Sequence, residues 1–315
     1  MQFVFDMETG DPDDVLTLVL LIGHPAVDLR AITVTPGTPH QIGLVRHVLQ
    51  MLGVERPVGS FNLDHMKARG TPDERYVTCV SAGHYKWLGE VPPSRDAEPG
   101  WKILHEHLDP TTTLLTGAPL KNLGKALREG PPQPFPWVAQ GGFAGEGVVP
   151  RNKQLLKFTG LRTCPTFNFN GDPKSALLAL THKAITSRRL VSKNVCHGVV
   201  YDWTMHDRLA RHLALSYSSL SHDPHERQLH RESLQMLYAG MEIYLQKRPA
   251  GKAFHDPLAA CCAINPDIGT WAKVRMFREK GQWGATLAEP DDPLAADIII
   301  DYDRELFVQT LFGGS

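Results

Sequence analysis

Residues 2–25 read QFVFDMETGDPDDVLTLVLLIGHP. Phe3-Val4-Phe5 is a short apolar run and Val15 to Ile22 is a longer one. Five carboxylates, Asp6, Glu8, Asp11, Asp13 and Asp14, are crowded between them. The first run reads as a buried strand, and Asp13 to Gly23 reads as a helix with acidic residues in its first turn. Like charges at the edge of a core repel one another and hold each other's protons unless something positive sits among them. The stretch therefore asks which fold continues strand, loop, helix, and what compensates the charge.

The alternation continues outward. LRAITVTPG (29–37) reads as a strand ending in a Pro-Gly turn, and HQIGLVRHVLQMLG (40–53) has helical periodicity. PVGSF (57–61) and TTLLTGAP (112–119) read as strands, LKNLGKALREG (120–130) as a helix and WVAQGGF (137–143) as a strand ending in Gly-Gly. Such repetition predicts an α/β fold, a mostly parallel Rossmann-like sheet flanked by helices, in one domain over 1–315. Ligands of such sheets bind beyond the carboxyl ends of the strands, where the acidic cluster sits. Residues 206–247 read as helical around a polar insert (219–230), a helix–helix connection or lid whose His222, His225 and His230 are expected at the surface. DIIIDYDRELFVQTLF (297–312) reads as a strand and a final turn.

Composition excludes several classes. With Lys plus Arg 33 against Asp plus Glu 34, the formal net charge is −1, which offers no general pull on nucleic acid or anionic membrane. No 18-residue apolar run exists to span a bilayer. Residues 1–5 lack a basic segment and Asp6 interrupts any apolar one, so no signal peptide is expected. The five cysteines show no CxxC spacing, Cys261-Cys262 reads as core, and reduced thiols in a cytoplasmic protein are expected.

The acidic cluster has three readings. Asp13 as N-cap with Asp14 behind it leaves Asp6 and Glu8 unexplained. Oxygen-rich loops suit a hard cation, Ca²⁺ or Mg²⁺. DMETG also resembles the DxDxT stretch of haloacid-dehalogenase-type phosphatases, which would make Asp6 a nucleophile, although DPDD does not continue that pattern. A second feature, GKAFHDPLAACCAINPDIG (251–269), weighs for the cation. It places His255-Asp256 before a buried helix, a proton donor beside a metal-binding carboxylate.

Together these pieces resemble the inosine–uridine-preferring nucleoside hydrolases, whose hallmark is DxDxGxDD after the first strand. Asp6 to Asp14 fit it with Glu8 for the second Asp and one extra residue. ITVTPGT, GAPLKNLGKAL (117–127), QGGFAGEG (140–147), TFNFNGDPKSA (166–176), VYDWT (200–204) and FHDPLA (254–259) follow in the family's order. The resemblance implies Ca²⁺-dependent hydrolysis of the N-glycosidic bond of a ribonucleoside or related riboside, in nucleobase salvage. It also implies a homodimer or homotetramer acting on a small molecule. Glu8, Asp14, Asp256 and the Lys121 carbonyl match the metal ligands, with Asp6 in support. Asp13 matches the general base, His255 the acid for the leaving base and Asn168 a ribose ligand. Asp11 is left without a role, facing solvent. Thr38 stands where the family has Asn, and His84 lies near a family His-Gly stretch. Thr166 and Gly160 replace residues that hold the 5′ end of the ribose, which leaves that end open: Arg162 reads either as a plain surface residue or as the partner of a 5′-substituent such as phosphate. Trp87, Tyr201 and Trp203 are candidates to stack on the base. A non-catalytic ribose-binding relative is the competing reading.

Overall fold

The computed structural model describes residues 1–64, 78–130, 132–215 and 223–314. The first six strands are β1 (Gln2–Met7), β2 (Asp28–Val34), β3 (Val58–Ser60), β4 (Glu98–Pro99), β5 (Thr112–Thr116) and β6 (Phe135–Gln140). They are followed by β7 (Thr163–Cys164), β8 (Ile185–Val191), β9 (Val200–Tyr201) and β10 (Lys252–Ala253). The last three are β11 (Gly269–Glu279), β12 (Gln282–Leu287) and β13 (Ala296–Tyr302). Eleven form one sheet in the order β4-β3-β2-β1-β5-β6-β8-β13-β11-β12-β7, and β9 and β10 form a separate pair. From β4 to β13 neighbours run parallel, while β11, β12 and β7 extend the sheet antiparallel. The predicted mostly parallel, helix-flanked sheet is observed; its antiparallel extension was not anticipated.

Strand β1 is central and buried on both faces, as its unbroken apolar run requires. Alternate side chains point to opposite faces. Phe3, Phe5 and Met7 join the core under the helices Pro12–Gly23, Pro224–Lys247 and His255–Ile264, whereas Val4 joins that under Gly100–His107, Lys121–Arg128 and Pro173–Thr181. Cys261 and Cys262 lie in the first core, as expected.

Four readings change. The N-cap of the first helix is Asp11, not Asp13, with Pro12 in the first turn; proline suits N1 because that N–H has no helical partner. The final turn is a helix, Arg304–Leu311, capped by Asp303, which accepts from the N–H groups of Glu305 and Leu306. Of the polar insert, 219–222 including His222 lie outside the described residues, and a continuous helix runs from Pro224 to Lys247. His225 is exposed there, but His230 is buried, with ring nitrogens 2.9 Å from the Gly23 carbonyl and 3.2 Å from that of Phe312. No helix among the described residues is long and apolar enough to cross a membrane.

The end of the first helix is tied to the C-terminus by His24. Its Nδ1 accepts from the Ala26 N–H at 3.1 Å, so its Nε2, 2.9 Å from the Thr310 carbonyl, carries the proton. Burial pushes its pKa from the ordinary 6.5 to about 4. The folded state therefore resists a proton that the unfolded chain accepts, and stability is lost as pH falls from about 6.5 towards about 4. Urea denaturation at pH 7 and pH 5 should show a loss that is about 2 kcal/mol smaller in His24→Gln than in the parent. An equal loss in the two proteins would contradict this account of His24.

Candidate active site

The carboxyl ends of β1, β5, β6 and β8 open onto a cleft of about 420 Å³, a size suited to a small ligand. The loop after β1 supplies Glu8 and Asp11, the first turn of the helix Pro12–Gly23 supplies Asp13 and Asp14, the turn after β5 supplies Gly117, and β6 ends on Gln140. Lys193 and His197 follow β8, and the helix His255–Ile264 brings His255 and Asp256. Thr166, Phe167 and Asn168 complete the wall.

Asp13 is 1% exposed, and both of its oxygens are engaged. Oδ1 lies 2.8 Å from Lys252 Nζ, and Oδ2 accepts from the N–H groups of His255 at 2.8 Å and Asp256 at 3.2 Å. Burial alone would raise its pKa, but the Lys252 ammonium, then the neighbouring His255 and these donors, bring it below the usual carboxylate range. Lys252, only 6% exposed, also meets Asp11 Oδ1 at 3.0 Å. Asp11 therefore faces an ammonium rather than simply solvent, and burial followed by repulsion from Asp13 raises it to about 6. Lys252 is the positive charge that the crowded carboxylates demanded. Sequence reading missed it because nothing in GKAFHDP marks the lysine as inward-facing.

The other carboxylates are not compensated in this way. Burial first, and then Asp11, Asp13 and Asp6, push Glu8 up to about 8. Asp14 and Asp256 are held well above the ordinary range by burial and then by nearby carboxylates, Glu8 foremost for Asp14 and Asp13 for Asp256. Asp14 Oδ2 accepts from the Asp11 N–H at 2.9 Å. Asp256 packs on Gly117, where an added Cβ would stand 2.2 Å from Asp256 Oδ2, and that oxygen is buried without a partner. Glu8, Asp14 and Asp256 are hard oxygen donors short of positive charge, which fits a hard divalent cation. Among the described residues, no three such side chains are already drawn together at metal-binding distance.

The remaining expected site residues divide. Asn168 lines the cleft and donates from Nδ2 to the Gln140 carbonyl at 3.0 Å and to its Oε1 at 2.7 Å, leaving its own Oδ1 buried and unpartnered. Thr166 lines it with an unpartnered Oγ1. Asp6 lies behind the cleft, fully buried, with Oδ1 accepting from Thr33 at 2.7 Å and Asn122 at 2.9 Å and Oδ2 unpartnered. Burial raises it to about 7. That position suits support and disfavours the phosphatase reading, because a nucleophile must reach its substrate.

Four expectations fail to reach the cleft wall. Thr38 is the N-cap of the helix Pro39–Met51, accepting from the Gln41 N–H at 3.3 Å and donating to the Thr78 carbonyl. His84 is buried outside the cleft lining, and burial lowers its pKa to about 4. Lys121 starts the helix Lys121–Arg128 and is absent from the lining. Arg162 lies over Phe277, 5.0 Å from its centroid, and is absent from the lining. Of the aromatic candidates, Tyr201 is core, Trp87 packs at Gly240 and Trp203 stands edge-on to His206. The rings in the cleft are instead Phe167, 71% exposed, and His197, whose centroid lies 4.5 Å from that of His255. Burial lowers His255 to about 4 despite Asp13, and His197 to about 3 with His255 and the lysines adding to the effect.

Comparison with known proteins agrees with this architecture. The family described as "Inosine-uridine preferring nucleoside hydrolase" matches residues 3–309. A protein of Aquifex aeolicus (strain VF5) with no assigned role is 24% identical over 307 residues, covering 94% of both chains. Among solved structures, an inosine-guanosine nucleoside hydrolase superposes with a TM-score of 0.69 at 17% identity, covering 99% of this chain and 97% of that one. A plant nucleoside hydrolase gives 0.67 at 19%, covering 98% and 97%. A purine-preferring ribonucleoside hydrolase from Gardnerella vaginalis gives 0.65 at 16%, covering 99% and 97%.

Removing one partner of a buried ion pair strands the other. Lys252→Met should destabilise the protein by about 3–5 kcal/mol in urea denaturation, and adding Asp13→Asn should recover part of the loss. Unchanged stability in Lys252→Met would contradict the compensating role of the ammonium.

Proposed function

We propose a function from one premise: the chain belongs to the inosine-uridine preferring nucleoside hydrolase family, whose members are N-glycosyl hydrolases, and it is such an enzyme. The reading is Ca²⁺-dependent hydrolysis of the N-glycosidic bond of a ribonucleoside or closely related riboside, releasing the base and ribose. The observation that carries it is Asp13, ionised and fixed by Lys252 and two backbone N–H groups at the floor of a cleft it shares with Glu8, Asp14 and Asp256.

Asp13 takes the proton of the attacking water. The water oxygen bonds to the anomeric carbon as the C–N bond breaks, and the bond's electrons leave with the base. Ca²⁺ held by Glu8, Asp14 and Asp256, with Asp6 behind them, would acidify that water and grip the ribose hydroxyls. The anionic floor favours the positive charge that develops on the sugar. Asn168 offers its unpartnered Oδ1 to a ribose hydroxyl. His255, in the cleft wall with Nδ1 unpartnered, would give a hydrogen bond to the departing base.

Hydrolysis of ribonucleosides should require Ca²⁺, stop with chelator and return when Ca²⁺ is added back. Asp13→Asn should lower kcat by about 10²–10⁴, measured where circular dichroism shows the less stable variant still folded. A parent protein no more active than Asp13→Asn on every riboside would overturn hydrolysis and favour a ribose-binding role.

A further inference from the structure

The cleft is not uniformly acidic. Opposed in charge to its carboxylate floor is a cluster formed by Lys193, Lys157 and His197. Lys193 lines the cleft, and its Nζ donates to the Pro165 carbonyl at 2.9 Å, next to Thr166. Lys157 Nζ lies 2.9 Å from His197 Nδ1, and His197 also lines the cleft. Each ammonium group also lies over the Phe158 ring, Lys157 at 5.2 Å and Lys193 at 5.9 Å from its centroid. Among the described residues, neither lysine has a carboxylate within ion-pair distance. Two ammonium groups without carboxylate partners, one of them in the cleft wall and the other on His197 of that wall, favour an anion there.

A second feature points to a ligand at the same place. Thr166 and Asn168 are 3% and 4% exposed and line the cleft, yet Thr166 Oγ1 and Asn168 Oδ1 have no partner. Buried polar atoms without partners are uncommon, and a bound molecule would satisfy them. Lys193 reaches the same segment through Pro165. Whatever hydroxyls meet Thr166 and Asn168 therefore lie beside the cationic lip, while the other end of the ligand meets the carboxylates.

We infer that the Lys193–Lys157–His197 lip binds a phosphate monoester on the 5′ carbon of the ribose, which makes ribonucleoside 5′-monophosphates the preferred substrate class. The inference rests on the proposed hydrolysis for its catalytic part and on the lip alone for its binding part. The reaction is unchanged: water adds to the anomeric carbon, the C–N bond breaks, and the products are the base and ribose 5-phosphate. The phosphate ester is not cleaved. Arg162, a candidate anion partner in the sequence, lies over Phe277 and outside the cleft wall, and Lys193 and Lys157 take its place.

Two measurements on the full chain separate the inference from the reading it builds on. Calorimetry should show ribose 5-phosphate binding at least about tenfold tighter than ribose, as charge-assisted hydrogen bonds predict. The preference should shrink towards unity in the double variant Lys157→Gln/Lys193→Gln, with Lys193→Arg retaining most of it. In turnover, kcat/KM for a nucleoside 5′-monophosphate should exceed that for its nucleoside by a similar factor, and that ratio should collapse in the double variant. Equal binding of ribose and ribose 5-phosphate by the parent, or a ratio unmoved by the double variant, would overturn the lip even if nucleosides are hydrolysed. A binding preference that the double variant abolishes, in a protein that hydrolyses neither substrate, would uphold the lip and sink the hydrolytic reading instead.

Discussion

One buried ion pair, Lys252 with Asp13, is the constraint on which the site depends. Two buried charges at 2.8 Å hold each other ionised, and neither tolerates loss of its partner. The pair also organises the backbone. Lys252 lies in β10, three residues before the helix His255–Ile264, and the first amides of that helix donate to Asp13 Oδ2. One carboxylate thus joins the first helix of the chain to its penultimate one and fixes where His255 and Asp256 stand.

The ion pair divides the acidic cluster by chemistry. Asp13, and less completely Asp11, have an internal cation. Glu8, Asp14 and Asp256 do not, and they hold their protons more tightly the more they crowd one another. Such a set is poised to exchange protons for a hard cation. The lip carries the opposite charge, so the cleft has a carboxylate pole suited to a cation and sugar hydroxyls, and an ammonium pole suited to an anion. A riboside bearing a 5′ anion matches both poles at once.

Much of this was legible in the sequence because it is local. The apolar run into Asp6 and the acidic entry to the next helix placed the site at a strand end, and His255-Asp256 and Asn168 stand in the cleft as expected. Two misreadings carried a local signal that was passed over. Asp11-Pro12 is a cap followed by proline at the first helical position, and Thr38-Pro39-His40-Gln41 is a capping box, which assigns Thr38 to the backbone rather than to a ligand. The rest depends on long-range packing. Lys252 meets Asp13 from the far end of the chain, Lys193 and Lys157 lie over Phe158 from two separate short helices, and His230 is buried in a segment whose composition looks exposed. No spacing rule in one sequence encodes such encounters.

Where a cation binds relative to Lys252 decides how the acidic cluster is divided. A crystal structure grown with Ca²⁺, read by its anomalous signal, is the decisive measurement. It should show one ion with seven or eight oxygens at about 2.3–2.6 Å, Glu8, Asp14 and Asp256 among them, and Lys252 still bonded to Asp13. An ion seated between Asp11 and Asp13 with Lys252 expelled, or no ion on these carboxylates, would contradict the division of the cluster.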